Sequence, residues 1–196
     1  MQGLDTFAAF AATYGSLEDA EQDYETIKSL YYSEGILDTF DAAIIAKDEK
    51  GKVKIVKRHE QPTRQGAWLG GGLGLATGLC VALFPAVGIG AAVVYGTGLG
   101  AGLGAIAGHA AGGMSRSDLK DLGETLDEGE CALVAVAATA IADRVAASIE
   151  RAEKVERKEL KADAKALKED VETATAAQPT VPSQREEATS PEHVET

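Results

Sequence analysis

Cysteine and basic residues are both scarce in this chain of 196 residues. Cys80 and Cys131 are its two cysteines, and neither belongs to a C-x-x-C motif. We therefore expect no disulfide framework and no zinc site, and we expect both thiols to be buried as small apolar groups. Lys and Arg total 19 against 31 Asp and Glu, which gives a net charge of −12. This balance argues against nucleic acid as a partner and against loose adsorption to an anionic membrane surface.

Charge is absent altogether from the middle of the chain. No Asp, Glu, Lys or Arg occurs between Arg64 and Arg116, and this neutral segment holds 16 of the 22 glycines. The N-terminus has no basic n-region and carries Asp5 before its first apolar run, so we expect no signal peptide and a cytoplasmic start. A highly charged protein therefore encloses a neutral, glycine-rich segment, whose interpretation decides the predicted function.

Patterns of strands and helices flank the neutral segment. Ser16 and Ser115 each precede an acidic residue three positions on, which predicts the N-terminus of a helix at both places. Apolar runs predict strands over residues 6–14, 40–48, 52–58 and 130–138. Their order predicts an α+β fold with a ferredoxin-like (split βαβ) four-stranded antiparallel sheet in two parts, residues 4–62 and 114–138. Helices are expected on one face of this sheet, with the other face free for a partner.

The chain beyond the last predicted strand is highly charged. Apolar residues spaced three to five apart and i,i+4 charge pairs such as Glu150–Lys154 predict a long charged amphipathic helix over residues 139–173. Such a helix either pairs with a partner helix or frays in solvent. Residues 174–196 are rich in Pro, Ser, Thr and acids, which predicts a disordered acidic tail.

Two interpretations of the neutral segment fail on context. The letters GTGLGA at 96–101 match the G-x-G-x-x-A fingerprint of a dinucleotide-binding loop, but the chain has no room for the alternating strands and helices of that fold. A flexible linker would be poor in large apolar residues, whereas Leu, Val and Ile alternate with the glycines here. An enzyme or small-molecule binder is therefore the least favoured class, and we assign no catalytic, cofactor-binding or metal-binding residue.

The spacing of the glycines favours an inserted glycine-rich, apolar helical hairpin over residues 64–113. Positions four apart lie on one face of a helix, and a stripe of glycines lets a second helix approach closely. Pro85 is expected to end the first helix and to form the hairpin turn. As helices, residues 66–83 and 86–112 measure about 27 and 40 Å, against about 30 Å for a hydrocarbon core. The helix-packing residues of the two series are Gly66, Gly70, Gly74 and Gly78, and Gly96, Gly100, Gly104, Gly108 and Gly112.

These features predict a non-enzymatic, membrane-associated protein whose hairpin anchors it and drives self-association, as an anchor, scaffold or membrane-remodelling element. Basic residues flank the hairpin on the same side, so the soluble parts are expected to face the cytoplasm. The expected partners are the lipid bilayer, further copies of the chain in a homo-oligomer, and a partner helix for residues 140–172. The alternative is a soluble, cytoplasmic homo-oligomer with the hairpins buried in its centre. His109, inside the segment, is either a proton-sensitive or metal-binding group or a neutral interfacial side chain.

A longer motif follows the glycines: residues 112–136 read GGMSRSDLKDLGETLDEGECALVAV. In this stretch, in the glycine-rich hairpin and in the order of the elements around them, the chain resembles an uncharacterised bacterial family of predicted membrane proteins, domain-of-unknown-function family 1269. The resemblance covers about residues 4–150. It implies a small membrane protein that faces the cytoplasm, and it brings neither catalytic residues nor an established activity. The charged region beyond residue 150 is an extension whose role stays open.

Overall fold

The computed structural model describes residues 5–58, 75–84, 107–108 and 110–163, and the structural statements below concern these residues. Residues 107–108 and 110–112 are helical. The other elements, in chain order, are β1 (Asp5–Tyr14), α1 (Leu17–Ser33), β2 (Asp41–Lys47), β3 (Val53–Arg58), α2 (Leu75–Leu83), α3 (Arg116–Glu128), β4 (Cys131–Ala138), α4 (Ala142–Ala147) and β5 (Lys154–Ala162), with short 3-10 turns at Leu37–Thr39 and Thr139–Ile141.

The strands form a single antiparallel sheet in the order β3-β2-β4-β1-β5. In the centre of the sheet Ala9 of β1 lies opposite Val136 of β4 on one side and Lys158 of β5 on the other. The mixed helix-and-strand class and the four predicted strands are confirmed. The predicted strand number is wrong, because β5 adds a fifth strand beyond β1.

Helices cover both faces of the sheet. On one face, called here the α1 face, α1 and α4 pack on strand residues such as Phe10 and Leu133. On the other, called here the α2 face, α2 and α3 pack on residues such as Ala9 and Val134. Because both faces are buried, β1, β2 and β4 are apolar without alternation and rich in alanine. The prediction of a free second face is therefore wrong, because α2, from the neutral segment, covers that face. The side chains of α2 are themselves largely buried.

The helix starts predicted at two serines are confirmed. The N–H of Asp19 donates to the Ser16 hydroxyl at 3.1 Å, and the N–H of Asp118 donates to the Ser115 hydroxyl at 3.0 Å. Each serine thereby satisfies a backbone donor that has no partner within its helix. After the C-terminus of α1, Gly35 takes a positive φ of 70°, a conformation that glycine adopts without strain.

The long helix predicted over residues 139–173 is wrong wherever the structure describes it. Helix α4 has only six residues. The chain after it forms β5, a strand of nine residues that pairs with β1. The i,i+4 charge pairs behind the prediction contribute only about 0.2–0.5 kcal/mol each. Pairing with β1 satisfies the backbone groups of β5 that point towards β1, and it buries Leu160 and Ala162 on the α2 face. Residues 164–173 and the predicted tail 174–196 lie outside the described residues.

Candidate functional site

Helix α2 belongs to the neutral segment and lies against the sheet. Its end reaches α3, where a Cβ built on Gly123 would lie 3.6 Å from Leu83 Cδ2, an ordinary van der Waals contact. Apart from Thr77 the helix is apolar, and contact with the α2 face removes its surface from water. Four of its residues are fully buried in the α2-face cluster: Leu75, Ala76, Leu79 and Cys80.

The carboxylate of Asp41 contacts the N-terminus of α2. Asp41 is the first residue of β2 and is only 5% exposed. The backbone N–H of Ala76 donates to Asp41 Oδ2 at 3.3 Å, and the N–H of Leu75 donates to the same carboxylate. Donors in the first turn lack partners within the helix, and the positive end of the helix dipole favours a carboxylate there. Asp41 therefore links the first half of the sheet to the neutral segment.

Burial dominates the electrostatics of this contact. Removal from water raises the pKa of the Asp41 carboxyl to about 7, although the backbone hydrogen bonds from Ala76 and Leu75 lower it. Burial also raises the pKa of the Cys80 thiol to about 12, and burial followed by the charge of Asp41 raises the pKa of Tyr31 above its usual value. Among these three groups, Asp41 is the one that changes charge near neutral pH.

Sequence reasoning did not find Asp41. The signal was present, since an acid opens an apolar strand whose next four residues carry no polar group. Its partner was not readable, because Ala76 lies 35 residues further along the chain and in a segment interpreted as separate from the sheet.

The neutral segment ends on the same face of the sheet. Ala110 and Met114 are buried in the cluster that holds α2. The N–H of Lys161 donates to the carbonyl oxygen of Gly113 at 2.9 Å, which joins the end of the segment to β5. A Cβ built on Gly113 would overlap the carbonyl oxygen of Lys161 and would lie 2.9 Å from Leu160 Cδ1. No larger residue fits at this position without a shift of the backbone.

An open cleft of about 680 Å³ lies beside this end of the segment. Its charged groups contact partners within the chain: the Ser115 hydroxyl donates to Asp118 at 2.6 Å, and Lys161 Nζ lies 3.0 Å from Glu159 Oε1. Among its described lining residues, the cleft therefore offers space but no polar group held ready for a substrate. Glycines and apolar residues of its lining include Gly108, Gly112, Gly113, Met114 and Ala162.

Three of the predicted helix-packing glycines lie within the described residues. Gly78 is buried in α2. Gly108 and Gly112 are exposed, and no described atom lies within 4 Å of a Cβ built on either. Contact between the two glycine series stays a prediction. The remaining predicted residues lie outside the described ranges: Gly66, Gly70, Gly74, Gly96, Gly100, Gly104 and the turn residue Pro85.

A second buried acid, Asp23, is fully paired. This α1 residue is 0% exposed. It accepts hydrogen bonds from the hydroxyl of Tyr14 at 3.2 Å, from the backbone N–H of Arg151 at 2.9 Å and from its guanidinium at 2.8 Å. Burial, with the neighbouring charge of Asp23, raises the pKa of Tyr14 far above its usual value. The cluster ties the connection between α4 and β5 to α1, which is a structural role.

Other expectations about binding groups concern the cysteines and His109. Cys80 and Cys131 are free thiols and both are buried, which confirms the prediction of their burial. His109 lies outside the described residues. Within the described part of the chain, no three His, Cys, Asp or Glu side chains are grouped so that they could hold a metal ion. In that same part, no helix combines the length and the hydropathy needed to cross a membrane.

The fold and the docked segment define a class: an α+β domain whose five-stranded antiparallel sheet lies between two layers of helices, one of them supplied partly by a neutral, glycine-rich segment. The family model described as "Protein of unknown function (DUF1269)" matches residues 67–172, more than half of the chain, and the chain belongs to this family. The resemblance found in the sequence is confirmed for the family, but the match begins inside the neutral segment and extends through β5. No curated protein and no solved structure matches the chain.

Proposed function

We propose that this is a non-enzymatic, membrane-associated protein in which the α+β domain holds both ends of the neutral segment and presents the rest of it to a bilayer and to further copies of the chain. One observation carries the proposal. Helix α2 and the end of the segment at Ala110 and Met114 are buried in one cluster, on the same face of the sheet. Between them, residues 85–106 contain no charged side chain. An uncharged stretch that leaves and re-enters one face suits insertion from one side of a membrane.

The docked position of α2 limits how deep this stretch can reach. As one helix, residues 85–106 would measure about 33 Å, and folded into a hairpin each arm would measure about 16 Å. A hydrocarbon core is about 30 Å thick, so such a hairpin enters one leaflet and leaves both of its ends on the cytoplasmic side. Self-association is proposed to occur through the glycine series, because small residues let helix backbones approach closely in lipid.

We further propose a ferredoxin-like unit within the sheet. The strand order supports it, because β1 and β2, joined through α1, lie on either side of β4, while β4 and β5, joined through α4, lie on either side of β1. In this interpretation β3 is an added edge strand, and the neutral segment is inserted between β3 and β4. A fold of this kind does not by itself define a function.

A soluble homo-oligomer with the neutral segments at its centre is the second candidate. The burial of α2 favours it, because part of the predicted first arm of the hairpin is already covered by protein and does not need lipid. The two candidates share self-association and differ in what surrounds the neutral segment.

Carbonate extraction and detergent solubilisation of the expressed full chain separate the two candidates. We expect the protein to remain in the membrane pellet after alkaline carbonate and to be released by detergent. Leu99→Lys, which adds a charge to the neutral segment, is expected to shift most of the protein to the soluble fraction, because a Lys at the centre of a membrane helix costs about 2.5–3.5 kcal/mol. The matched control is Val155→Lys, at a position of β5 that is 42% exposed.

Retention of Val155→Lys in the membrane together with release of Leu99→Lys supports membrane insertion. Recovery of the unmodified chain as a discrete soluble particle without detergent contradicts it and supports the soluble oligomer.

A further inference from the structure

We infer that Asp41 is a proton-sensitive latch for α2: the protonated carboxyl holds the helix on the sheet, and ionisation of the carboxyl weakens the docking. The latch acts where the α+β domain meets the neutral segment. Its consequence for membrane insertion rests on the proposed function, whereas the change in docking itself does not.

The geometry sets Asp41 apart from a simple helix cap. A capping acid at a helix N-terminus is commonly solvated, whereas Asp41 is buried beneath the helix it contacts. Among the side chains that the structure describes, no Lys or Arg forms an ion pair with it, and its hydrogen-bond donors there are the backbone N–H groups of Leu75 and Ala76. Asp23 shows the contrast, because its buried carboxylate has the guanidinium of Arg151 beside it. A buried carboxylate without a cation is costly when it is charged.

Among the side chains that the structure describes, those that face Asp41 leave its charge uncompensated. Tyr31 of α1 and Cys80 of α2 both interact with it electrostatically, and Val136 lies opposite it on β4. The pKa values of Tyr31 and Cys80 are raised, so both remain neutral where Asp41 titrates. Within the described part of the chain, ionisation therefore places an unpaired negative charge under α2.

The sign of the effect follows from the direction of the shift. The pKa of Asp41 is about 7 with α2 docked, and an exposed carboxyl would return towards its usual value of 3.8. Between these values the docked state binds more protons than the undocked state, so docking weakens as the pH rises from about 4 to about 7. Below this window the contribution of the protonated Asp41 carboxyl to the docking of α2 is fully retained. Above it, a further rise in pH weakens the docking no further.

Release of α2 would lengthen the stretch available to a bilayer. With α2 docked, the uncharged residues beyond it begin at Phe84, whereas with α2 free the whole neutral segment from Gln65 onwards is available. Residues 66–83 as a helix measure about 27 Å, close to the thickness of a hydrocarbon core. Docking of α2 therefore corresponds to a shallow insertion, and its release to an insertion deep enough to span the hydrocarbon core.

Hydrogen–deuterium exchange of the purified full chain between pH 5 and pH 8 tests the latch, with rates corrected for the intrinsic pH dependence. We expect the protection of amides within α2 to fall by about tenfold or more between pH 5 and pH 7. Amides of α1, on the opposite face, serve as an internal control and should keep their protection. Asp41→Asn keeps a hydrogen-bond acceptor without the charge, and its α2 protection should not vary with pH. Glu49→Gln, which removes an exposed charge in the turn after β2, should behave like the unmodified chain.

Loss of α2 protection that depends on Asp41 and spares α1 supports the latch. Protection of α2 that is independent of pH, an unchanged pH dependence in Asp41→Asn, or a parallel loss in α1 overturns it. These outcomes are independent of carbonate extraction, so the latch and the membrane association can fail separately.

Discussion

Gly113 shows how the absence of one side chain fixes the position of a whole segment. Its carbonyl oxygen accepts a hydrogen bond from β5, and the space that a Cβ would occupy is filled by the backbone of Lys161. Because backbone atoms cannot move aside as the end of a flexible side chain can, a methyl group here must displace the strand or the segment. The return of the neutral segment to the sheet therefore depends on glycine at this position.

We predict that Gly113→Ala lowers the free energy of unfolding by about 1–3 kcal/mol, because overpacking forces backbone shifts of that cost. Gly112→Ala is the matched control. Gly112 is helical and exposed, with no described atom near its Cβ position, so alanine there should be neutral or stabilising by up to about 1 kcal/mol. Urea unfolding followed by circular dichroism measures both. Equal stability of the two variants would show that the observed contact between Gly113 and β5 contributes nothing.

At the scale of elements, the edge strand β5 is the feature that departs most from expectation. Its two sides differ: Leu160 is 0% exposed, whereas Val155 is 42% exposed. On the predicted amphipathic helix, both residues would lie on the apolar face and would be buried alike. Val155 and Leu160 lie five residues apart, so in a strand they face opposite sides of the sheet: Leu160 is buried on the α2 face, whereas the other side of β5 is exposed.

Truncation of these two side chains tests β5. Leu160→Ala is expected to lower the free energy of unfolding by about 2–5 kcal/mol, the usual cost of removing a buried leucine side chain. Val155→Ala is expected to change it by about 0.5 kcal/mol or less, as is typical of surface sites. Similar losses of unfolding free energy in both variants would contradict the strand and favour the predicted amphipathic helix.

Residues of β5 also explain why the strand was missed. Glu, Lys and Arg make up most of KVERKELKA, and two of its bases complete i,i+4 charge pairs with acids upstream of the strand, Glu150–Lys154 and Glu153–Arg157. A charged edge strand is an ordinary way to discourage further strands from pairing, but it hides the period of two on which strand prediction depends. Strands β1, β2 and β4 were readable, because apolar runs of this length, shorter than a typical helix and bounded by turn residues, favour buried strands.

For the whole molecule, the neutral segment is the organising feature. Its charge-free composition and glycine spacing are visible in the sequence, and α2 and residues 107–108 and 110–112 are helical as the hairpin interpretation requires. The docking on the sheet was not readable. Whether an apolar helix contacts lipid, another copy or its own domain depends on which surface lacks cover, and the bare α2 face appears only once the strands are assembled.

The α+β domain and the neutral segment meet where α2 lies on the sheet. The sheet offers an apolar face, α2 and the end of the segment cover it, and Asp41 sets how firmly α2 is held. We propose that the rest of the segment contacts a bilayer or other copies. Self-association through the glycine series is the central claim, because both candidate functions require it.

Mass determination of purified full-length variants by light scattering, in detergent where detergent is needed, tests this claim most directly. Gly104→Ile fills the proposed stripe with a large branched side chain, and we predict that it shifts the protein from oligomers to monomers. Ala105→Ile introduces the same side chain one position off the four-spaced series, and we predict that it leaves the oligomers intact. Oligomers of unchanged mass in Gly104→Ile, or equal disruption by both variants, would contradict the account.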